Sequence, residues 1–301
     1  MLMSVDVRQL RYFLAVLEHG TMQEAARALF IAQPSLSQAI AGLEHDLGLP
    51  LFRRTGRRLV VTSAGEEFAA AARIALRNVA AAEAVATDLR GLESGRLEVV
   101  AMPTPAIEPL TTLLARLHAE APRIRLDIRA AFTPEEVLVR VRSGECELGI
   151  LGQSSPPALD DMAVVALDHQ DLMFVTAAGE SEHAAASEIT VEQMHGIGLI
   201  VPHRGTLMRT LVDEIIASGT GAHIVAEVDH RTSILPMVLA GIGATVLPAA
   251  WAPQARSAGA IVRRITPAVT LHNALIASAG PLTPAAAAFW RIATGDPVVA
   301  M

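Results

Sequence analysis

Several patterns that would define a class of protein are missing from this chain of 301 residues. It has one cysteine, Cys146, so no disulfide can form within the chain, and we interpret Cys146 as a small buried residue. No apolar run approaches the roughly 18 residues of a membrane span. The start, MLMSVDVRQL, lacks the basic-then-apolar pattern of a secretory signal. We therefore expect a cytoplasmic protein without a membrane partner.

Lysine is also absent, so arginine carries the positive charge. The net charge of −7 argues at first against a nucleic-acid partner. However, residues 1–90 hold ten arginines against nine acidic residues, whereas residues 91–301 hold fourteen against twenty-two. Four of the six residues 53–58 are arginines: Arg53, Arg54, Arg57 and Arg58. Alone, such a cluster is as typical of a solvated loop as of a phosphate-binding one.

The signatures of common enzymes are missing as well. We find no metal-ligand spacing, no phosphate-binding loop and no nucleophile elbow. Gly241-Ile-Gly243 is too short for a dinucleotide site, and His169, His195 and His203 are scattered. We therefore predict a protein that is not an enzyme and that has no catalytic residues, no metal and no cofactor.

The first ninety residues have the pattern of a helix-turn-helix followed by a hairpin. Apolar residues at helical spacing predict a first helix that ends at Gly20, and Thr21 to Glu24 has the form of a capping box for a second. Pro34 suits the first turn of a third helix, whose inner face holds Leu36, Ile40, Leu43 and Leu47. The sequence PLFRRTGRRLVVTSAG then predicts two short strands around an arginine-rich turn, with Ser63 and Glu66 capping the next helix.

The outer face of the third helix is small and polar, as a helix that enters the major groove requires. We expect Gln38 to reach an adenine edge and the serines to reach phosphate or base, while the hairpin arginines contact the backbone or minor groove. The predicted DNA contacts are Gln33, Pro34, Ser35, Ser37, Gln38, Arg53, Arg54, Arg57 and Arg58. A three-helix module that binds another protein through its polar face is the alternative interpretation.

A long helix follows, whose apolar residues recur at intervals of four and three over about three heptads. They are Phe68, Ala72, Ala75, Val79, Ala82, Ala86 and Leu89. Because this narrow seam needs a close partner, we predict that it forms a dimer interface rather than packing on its own domain. Two copies would present two recognition helices to two DNA half-sites.

The segment from Leu10 to Phe68, LRYFLAVLEHGTMQEAARALFIAQPSLSQAIAGLEHDLGLPLFRRTGRRLVVTSAGEEF, closely resembles the N-terminal region of the LysR-type bacterial transcriptional regulators. The match includes Gln33-Pro34, Leu43-Glu44 and the entry Thr62-x-Ala64-Gly65. Gln38 departs from the family, in which a basic residue is common. The resemblance implies a winged helix-turn-helix, a dimerising linker helix, an effector-sensing domain and assembly as a dimer and a tetramer.

The remaining two-thirds alternate strands and helices, which predicts a doubly wound parallel α/β sheet. Two sets of strands and a return strand at Leu271–Ala277 resemble the two-lobed periplasmic-binding-protein architecture. We divide the chain into a winged helix-turn-helix domain at 1–62, a linker helix at 63–91 and an effector-binding domain at 92–301. Lobe 1 spans about 92–167 and 268–301, and lobe 2 about 168–267.

Ligands of such sheets bind beyond the carboxyl ends of the strands, so the crevice between the lobes is the predicted pocket. Four loops fall there: 103–105, 132–133, 202–206 and 231–233. Family resemblance places effector contacts at positions matching Thr104, Thr133, His203 and Thr206, although each threonine is also a natural helix cap. Arg204 or Arg209 could pair with an anion or lie at the surface. Few aromatics and several hydroxyls favour a small polar anion.

The sequence thus predicts a DNA-binding transcriptional regulator controlled by a small-molecule effector. An exported solute-binding receptor with a helical extension is the rival, but it needs neither an arginine hairpin nor a cytoplasmic location.

Overall fold

The N-terminal part of this computed structural model consists of helices around one hairpin. The structure describes residues 5–55, 58–88, 95–179, 186–278 and 280–295. The elements are α1 (Val7–His19), α2 (Met22–Ala28), α3 (Gln33–Leu47), β1 (Phe52–Thr55), β2 (Arg58–Val61) and α4 (Ser63–Asp88). Strands β1 and β2 pair antiparallel, so the predicted winged helix-turn-helix is confirmed.

Hydroxyl and carboxylate caps fix where these helices begin. The α2 cap is Thr21, whose Oγ1 accepts a hydrogen bond from the Glu24 N–H at 3.2 Å. The cap of α4 differs from the prediction, because Thr62 rather than Ser63 supplies the hydroxyl, which accepts from the Gly65 N–H at 3.0 Å. Thr62 Oγ1 also donates to the Pro50 carbonyl at 2.8 Å, so this cap joins the helix to the hairpin.

Phe13 lies at the centre of the first core and is fully buried. Its ring centroid is 5.2 Å from that of Phe52 in the hairpin and 5.2 Å from that of Phe68 in α4. Because aromatic contacts of this kind are specific in geometry, they hold the hairpin and α4 against α1.

The predicted seam of α4 is only partly available to a second copy. Ala72 is buried in the core of its own domain, so the prediction that it faces a partner is wrong. Phe68 and Ala75 are half-buried against the same core, and for these two a contact with a partner stays a prediction. Since Phe68 fills the space beside Phe13, the domain itself uses the first part of the seam. Val79 is half-buried and Ala82 is exposed. The side chain of Ala86 and all of Leu89 lie outside the described residues.

The second part of the chain forms two lobes. The elements of lobe 1 are β3 (Gly95–Ala101), α5 (Pro103–Ile107), α6 (Leu110–Glu120), β4 (Ile124–Ala130), α7 (Pro134–Arg142), β5 (Leu148–Gln153) and α11 (Pro284–Thr294). Those of lobe 2 are β7 (Glu188–Thr190), β8 (Gly198–Pro202), α8 (Leu207–Ala217), β9 (His223–Val228), α9 (Ile234–Leu239), β10 (Thr245–Pro248), α10 (Ala252–Ser257) and β11 (Ile261–Thr266). Two long strands, β6 (Met162–Thr176) and β12 (Thr270–Ser278), join the lobes.

The sheet is mixed, which corrects the prediction of a parallel one. Strands β3, β4 and β5 run parallel, but β12 is antiparallel to both β5 and β6. The opposite end of β6 pairs antiparallel with β10 and β11. The reason is the path of the chain: β6 leaves lobe 1 and β12 returns to it, so the two crossing strands must run in opposite directions.

Each lobe buries both faces of its sheet. In lobe 1, α6 and α11 cover one face around Leu117 and Phe289, and α7 covers the other around Val137 and Val141. In lobe 2, α8 covers one face, and α9 and α10 cover the other. The predicted doubly wound, two-lobed domain is confirmed. Within the described ranges, no helix has both the length and the apolarity to cross a membrane.

Candidate nucleic-acid interface and ligand crevice

The outer face of α3 is open to solvent. Leu36, Ile40 and Leu43 are buried beneath it, and the predicted contact residues lie on the other side. Gln33, Pro34, Ser35 and Gln38 are exposed, and Ser37 is half-buried. Among the described residues, these amide and hydroxyl side chains have no hydrogen-bond partner. Their donors and acceptors are therefore available to a molecule outside the fold.

A carboxylate of α3 fixes the position of the hairpin. Glu44 Oε1 accepts hydrogen bonds from the Leu51 N–H at 2.8 Å and the Phe52 N–H at 3.0 Å. Hydrogen bonds to an ionised acceptor are stronger than neutral ones. Glu44 therefore holds the first strand of the hairpin in a set position relative to the exposed face of α3. The sequence resemblance included Glu44, but not this contact.

The hairpin arginines are described to different extents. Arg53 is exposed on β1. The backbones of Arg54 and Arg58 lie in paired strands, where Arg53 is opposite Val60. The side chains of Arg54 and Arg58, and all of Arg57, lie outside the described residues. The hairpin thus brings at least Arg53 to the surface next to α3.

One exposed residue beside α3 was missing from the sequence-based set. Phe30, in the turn between α2 and α3, is 96% exposed and has a φ of 55°. A bulky residue with positive φ is uncommon. No pattern in the sequence marks Phe30, because a lone phenylalanine after a helix is normally read as core.

All four predicted loops of the ligand crevice follow the carboxyl ends of strands. Thr104 follows β3, Thr133 follows β4, Thr206 follows β8 and Arg231 follows β9. The loops approach one another across the lobes in two pairs. Thr104 Oγ1 accepts a hydrogen bond from Arg231 Nη1 at 2.9 Å. A methyl group at Gly205 would lie 3.1 Å from Thr133 Cγ2.

Two of the threonines cap helices with the hydroxyl that would contact a ligand. Thr133 Oγ1 accepts from the Glu136 N–H at 3.2 Å at the start of α7. Thr206 Oγ1 accepts from the Arg209 N–H at 3.2 Å at the start of α8. Thr104 has no such cap and is buried against lobe 2. Of the three threonines, Thr104 is therefore the one whose hydroxyl bridges directly to the opposite lobe.

His203 and Arg209 belong to a network of ion pairs. His203 Nδ1 is 2.7 Å from Glu227 Oε1, and its other ring nitrogen contacts Asp229. Arg209 Nη1 is 2.8 Å from Glu227 Oε2, and its Nε is 2.9 Å from Asp213 Oδ1. These hydrogen bonds, first from Arg209 and then from His203, lower the pKa of Glu227. The positive charge of Arg209 is thus already balanced within the protein.

Arg231, which was not among the predicted effector contacts, has a different environment from Arg209. Its guanidinium lies between the lobes, next to Thr104 and 3.9 Å from Met208 Sδ. Burial lowers the pKa of Arg231 to about 10. The only signal in the sequence was its place in the fourth predicted loop.

Helix α7 joins the crevice to the linker helix α4. The loop after its C-terminus contacts two arginines of α4: Arg77 Nη1 donates to the Gly144 carbonyl at 2.7 Å, and Arg73 Nη1 to the Ser143 carbonyl at 3.3 Å. Burial lowers the pKa of Arg77, and the nearby charge of Glu147 opposes that shift. The two ends of α7 are therefore Thr133 at the crevice and Gly144 at the linker.

Cys146 is fully buried, as predicted. Burial raises the pKa of its thiol to about 11. The thiolate is the reactive form of cysteine, so Cys146 is a packing residue. No group of three or more histidine, cysteine or acidic side chains in the described part of the chain is arranged to hold a metal.

Comparisons with known proteins match both parts of the chain. Residues 7–66 match the family model of the bacterial regulatory helix-turn-helix proteins, lysR family, and residues 90–296 match that of the LysR substrate binding domain. The uncharacterized HTH-type transcriptional regulator YnfL of Escherichia coli is 31% identical over 258 residues, covering 83% of this chain and 84% of that protein. A probable hydrogen peroxide-inducible genes activator of Streptomyces viridosporus is 30% identical over 247 residues, covering 81% and 77%.

Solved structures share the fold. A cysteine variant of full-length OxyR from Pseudomonas aeruginosa has a TM-score of 0.76 and 22% identity, covering 96% of this chain and 94% of that one. Full-length CbnR complexed with its target DNA has a TM-score of 0.68 and 23% identity, covering 97% and 100%.

Proposed function

This chain belongs to the LysR family of bacterial transcriptional regulators, and we propose which of its surfaces perform regulation. It is a DNA-binding regulator and not an enzyme. In our proposal, α3 enters the major groove of double-stranded DNA through Gln33, Pro34, Ser35, Ser37 and Gln38. The hairpin places Arg53, Arg54, Arg57 and Arg58 on the sugar–phosphate backbone or in the minor groove.

The observation that carries this proposal is the polar, exposed face of α3, which has no internal hydrogen-bond partners among the described residues. A helix face that only had to be soluble would need no such set of free amides and hydroxyls. Gln38 can donate to and accept from an adenine edge, which provides sequence choice. Arginines on the hairpin provide affinity that depends little on sequence.

The crevice is the proposed effector site, with contacts from Thr104, Thr133, His203 and Thr206. Thr104 is supported best, because its hydroxyl lies between the lobes next to a cation. Thr133 and Thr206 would share their hydroxyls between a helix cap and the ligand. His203 would have to bind while paired with Glu227, or exchange that partner. The effector is a small molecule, and we assign no separate cofactor.

Helix α7 provides the route from effector to DNA in this proposal. A ligand that prefers one arrangement of the lobes would move the start of α7 at Thr133. Its other end contacts Arg73 and Arg77 of the linker helix. The movement would therefore change the direction of α4 and the spacing of the DNA-binding domains. A ligand without such a preference would change nothing.

We propose that the protein works in the cytoplasm as a dimer, and as a tetramer of two dimers. The chain is divided at residues 62 and 91, with α4 as the linker. The part of α4 from Val79 onward is the proposed dimer contact, since earlier seam residues pack on their own domain. Two copies would then present two recognition helices to related half-sites.

Fluorescence anisotropy with DNA from upstream of the gene tests the DNA proposal. The full chain should bind at ~50 mM salt and lose affinity steeply by ~200 mM, because bound phosphates release counterions. Changing Arg53 and Arg54 to Ala should reduce the slope of log affinity against log salt by about two. Gln38→Ala should change the preferred sequence more than the slope.

Arg116→Ala is the matched control, because it removes an exposed arginine from lobe 1. Its salt slope should equal that of the wild type. Flat anisotropy of the wild type at the lowest salt would contradict the proposed interface, as would equal slopes for the wild type, the variant lacking Arg53 and Arg54, and Arg116→Ala.

A further inference from the structure

We infer that the effector is a small organic acid with one carboxylate, and that Arg231 anchors this carboxylate between the lobes. This inference rests on the proposed function, because it takes the crevice as the effector site. It adds the chemical class of the ligand and a binding residue outside the set Thr104, Thr133, His203 and Thr206.

The first step is the position of the charge. Arg231 is half-buried, and its Nη1 is bonded to a hydroxyl of the opposite lobe, Thr104 Oγ1, at 2.9 Å. Among the described residues, no carboxylate lies within 4.0 Å of this guanidinium. The Nε and Nη2 atoms of Arg231 donate no hydrogen bond to a described residue. Neither atom is completely shielded from solvent. Both donors therefore keep some contact with solvent, and in this inference they are the groups that the ligand meets.

The second step is the contrast with Arg209 in the same lobe. Arg209 is buried, but Asp213 and Glu227 lie within 2.9 Å of it. A buried charge is costly unless it is paired. Arg209 follows that rule within the protein, whereas Arg231 does not. A hydroxyl and a thioether are poor substitutes for a counter-ion, so an anion from outside is the partner that the site lacks.

The third step is the number of charges that the ligand carries. The N-terminus of α7 is not free for a second anionic group, because Glu136 Oε2 already accepts from the Phe132 N–H at 2.7 Å. The N-terminus of α8 is capped by Thr206. Arg204 is exposed to solvent, so Arg231 is the half-buried guanidinium of the four crevice loops that lacks an acidic partner among the described residues. It can hold one carboxylate through two parallel N–H···O bonds. Met208 is buried beside it, so the guanidinium borders an apolar side chain, as an organic acid requires of its site.

The fourth step concerns the lobes. Arg231 belongs to lobe 2 and Thr104 to lobe 1, so a carboxylate held by both contacts the two lobes at once. Such a ligand stabilises the arrangement in which these residues are adjacent. That is the differential binding that a conformational response requires.

A double-mutant cycle tests the anchor without knowledge of the ligand. Thr104→Asp places a carboxylate beside Arg231, and Thr104→Asn is its uncharged isostere. The melting temperature of the Asp variant should exceed that of the Asn variant by ~2 °C or more. The difference should vanish or reverse when both are combined with Arg231→Gln. Arg204→Gln, which removes an exposed arginine of the same lobe, should leave the difference intact.

A matched pair of probes tests the ligand class directly. Butyrate at about 20 mM should raise the melting temperature of the wild type by mass action, and butyramide should not, at equal ionic strength. Arg231→Gln should weaken the apparent affinity for butyrate about tenfold or more, because a charge-assisted pair is lost. Equal effects of the acid and the amide on the wild type would overturn the inference, as would equal melting temperatures of the Asp and Asn variants.

Failure of the inference differs from failure of the proposed function. If the amide binds as well as the acid, and Thr104→Trp abolishes both, the crevice is still the effector site and only the anion class is wrong. If butyrate stabilises the wild type and Arg231→Gln equally, this acid binds elsewhere and the anchor is refuted. DNA binding of the wild type, measured separately by anisotropy, stays a test of the regulator alone.

Discussion

Glu44→Ala should release the DNA-binding hairpin from the recognition helix. In the wild type, one carboxylate oxygen accepts from the Leu51 and Phe52 N–H groups at 2.8 and 3.0 Å. A hydrogen bond to an ionised group contributes about 1.5–3 kcal/mol. Because the two bonds share one oxygen and are only part-buried, we expect a combined loss of about 3 kcal/mol, and about 1 kcal/mol for Glu44→Gln, which keeps an acceptor.

Amide hydrogen exchange measures this loss at the two donors themselves. A local loss of about 3 kcal/mol corresponds to roughly a hundredfold faster exchange at Leu51 and Phe52. The affinity for DNA should fall as well, and the salt slope should become shallower, because a displaced hairpin no longer aligns its arginines with the phosphates. The amides of α8, which are far from the change, provide the internal reference.

Asp46→Ala is the matched control, since Asp46 is an exposed acid on the same helix. It removes one negative charge from the DNA-binding domain without touching the hairpin. Any gain in affinity that it shows is the purely electrostatic effect and can be subtracted. The reasoning fails if Glu44→Ala leaves exchange at Leu51 and Phe52 within about threefold of the wild type.

Three other changes have definite expected outcomes. Iodoacetamide should not label Cys146 in the folded protein at pH 7, because burial raises its pKa to about 11; rapid labelling would contradict this. Gly65→Ala should prevent stable folding of the DNA-binding domain by circular dichroism, because the new Cβ would lie 2.3 Å from the Leu51 carbonyl oxygen; an unchanged melting temperature would refute that geometry. Arg77→Ala should weaken the response of DNA footprints to crevice occupancy, while the exposed Asn78→Ala should not; equal footprints for both would argue against α7 as the route.

The winged helix could be predicted from the sequence because its signals are local. Helical spacing of apolar residues, Gly20 and Gly48 at the helix ends, and Pro34 in a first turn each act over a few residues. Both glycines adopt a positive φ, as a left-handed helix end requires. The sequence predicted Ser63 as the cap of α4, whereas the capping residue is Thr62. Both residue types are good caps, and the hydrogen bond from Thr62 to the Pro50 carbonyl distinguishes them.

Features that depend on distant partners could not be predicted in the same way. The sequence of α4 contains a regular seam, but whether Phe68 meets a second chain or Phe13 depends on how α1 is placed. The direction of β12 depends on a crossing strand a hundred residues earlier. The crevice loops were predictable, since they follow a general rule about strand ends.

Charge pairing was the least predictable part of the crevice. Arg204, Arg209 and Arg231 all occur in its loops or beside them, and composition does not distinguish them. The structure does, because Glu227 forms an ion pair with Arg209 from a neighbouring strand, whereas the hydrogen bonds of Arg231 to described residues go to Thr104 and Met208. Arg204 also lacks an acidic partner among the described residues, but it is exposed, whereas Arg231 is half-buried. The combination of burial and a missing counter-ion is what marks Arg231, and the sequence alone cannot reveal it.

The packing of α7 explains how a change at the crevice can reach the linker helix. A Cβ at Gly149 of β5 would lie 2.6 Å from Val137 and 2.8 Å from Val141, so α7 lies as close to the sheet as glycine allows. Close-packed elements of this kind move as bodies rather than by gradual deformation. In the proposed mechanism, a displacement that a ligand imposed at Thr133 would be transmitted over the nine residues of the helix to Gly144. There the guanidinium of Arg77 donates directly to the backbone, so in the proposed mechanism a change in lobe angle would act on the linker through this hydrogen bond.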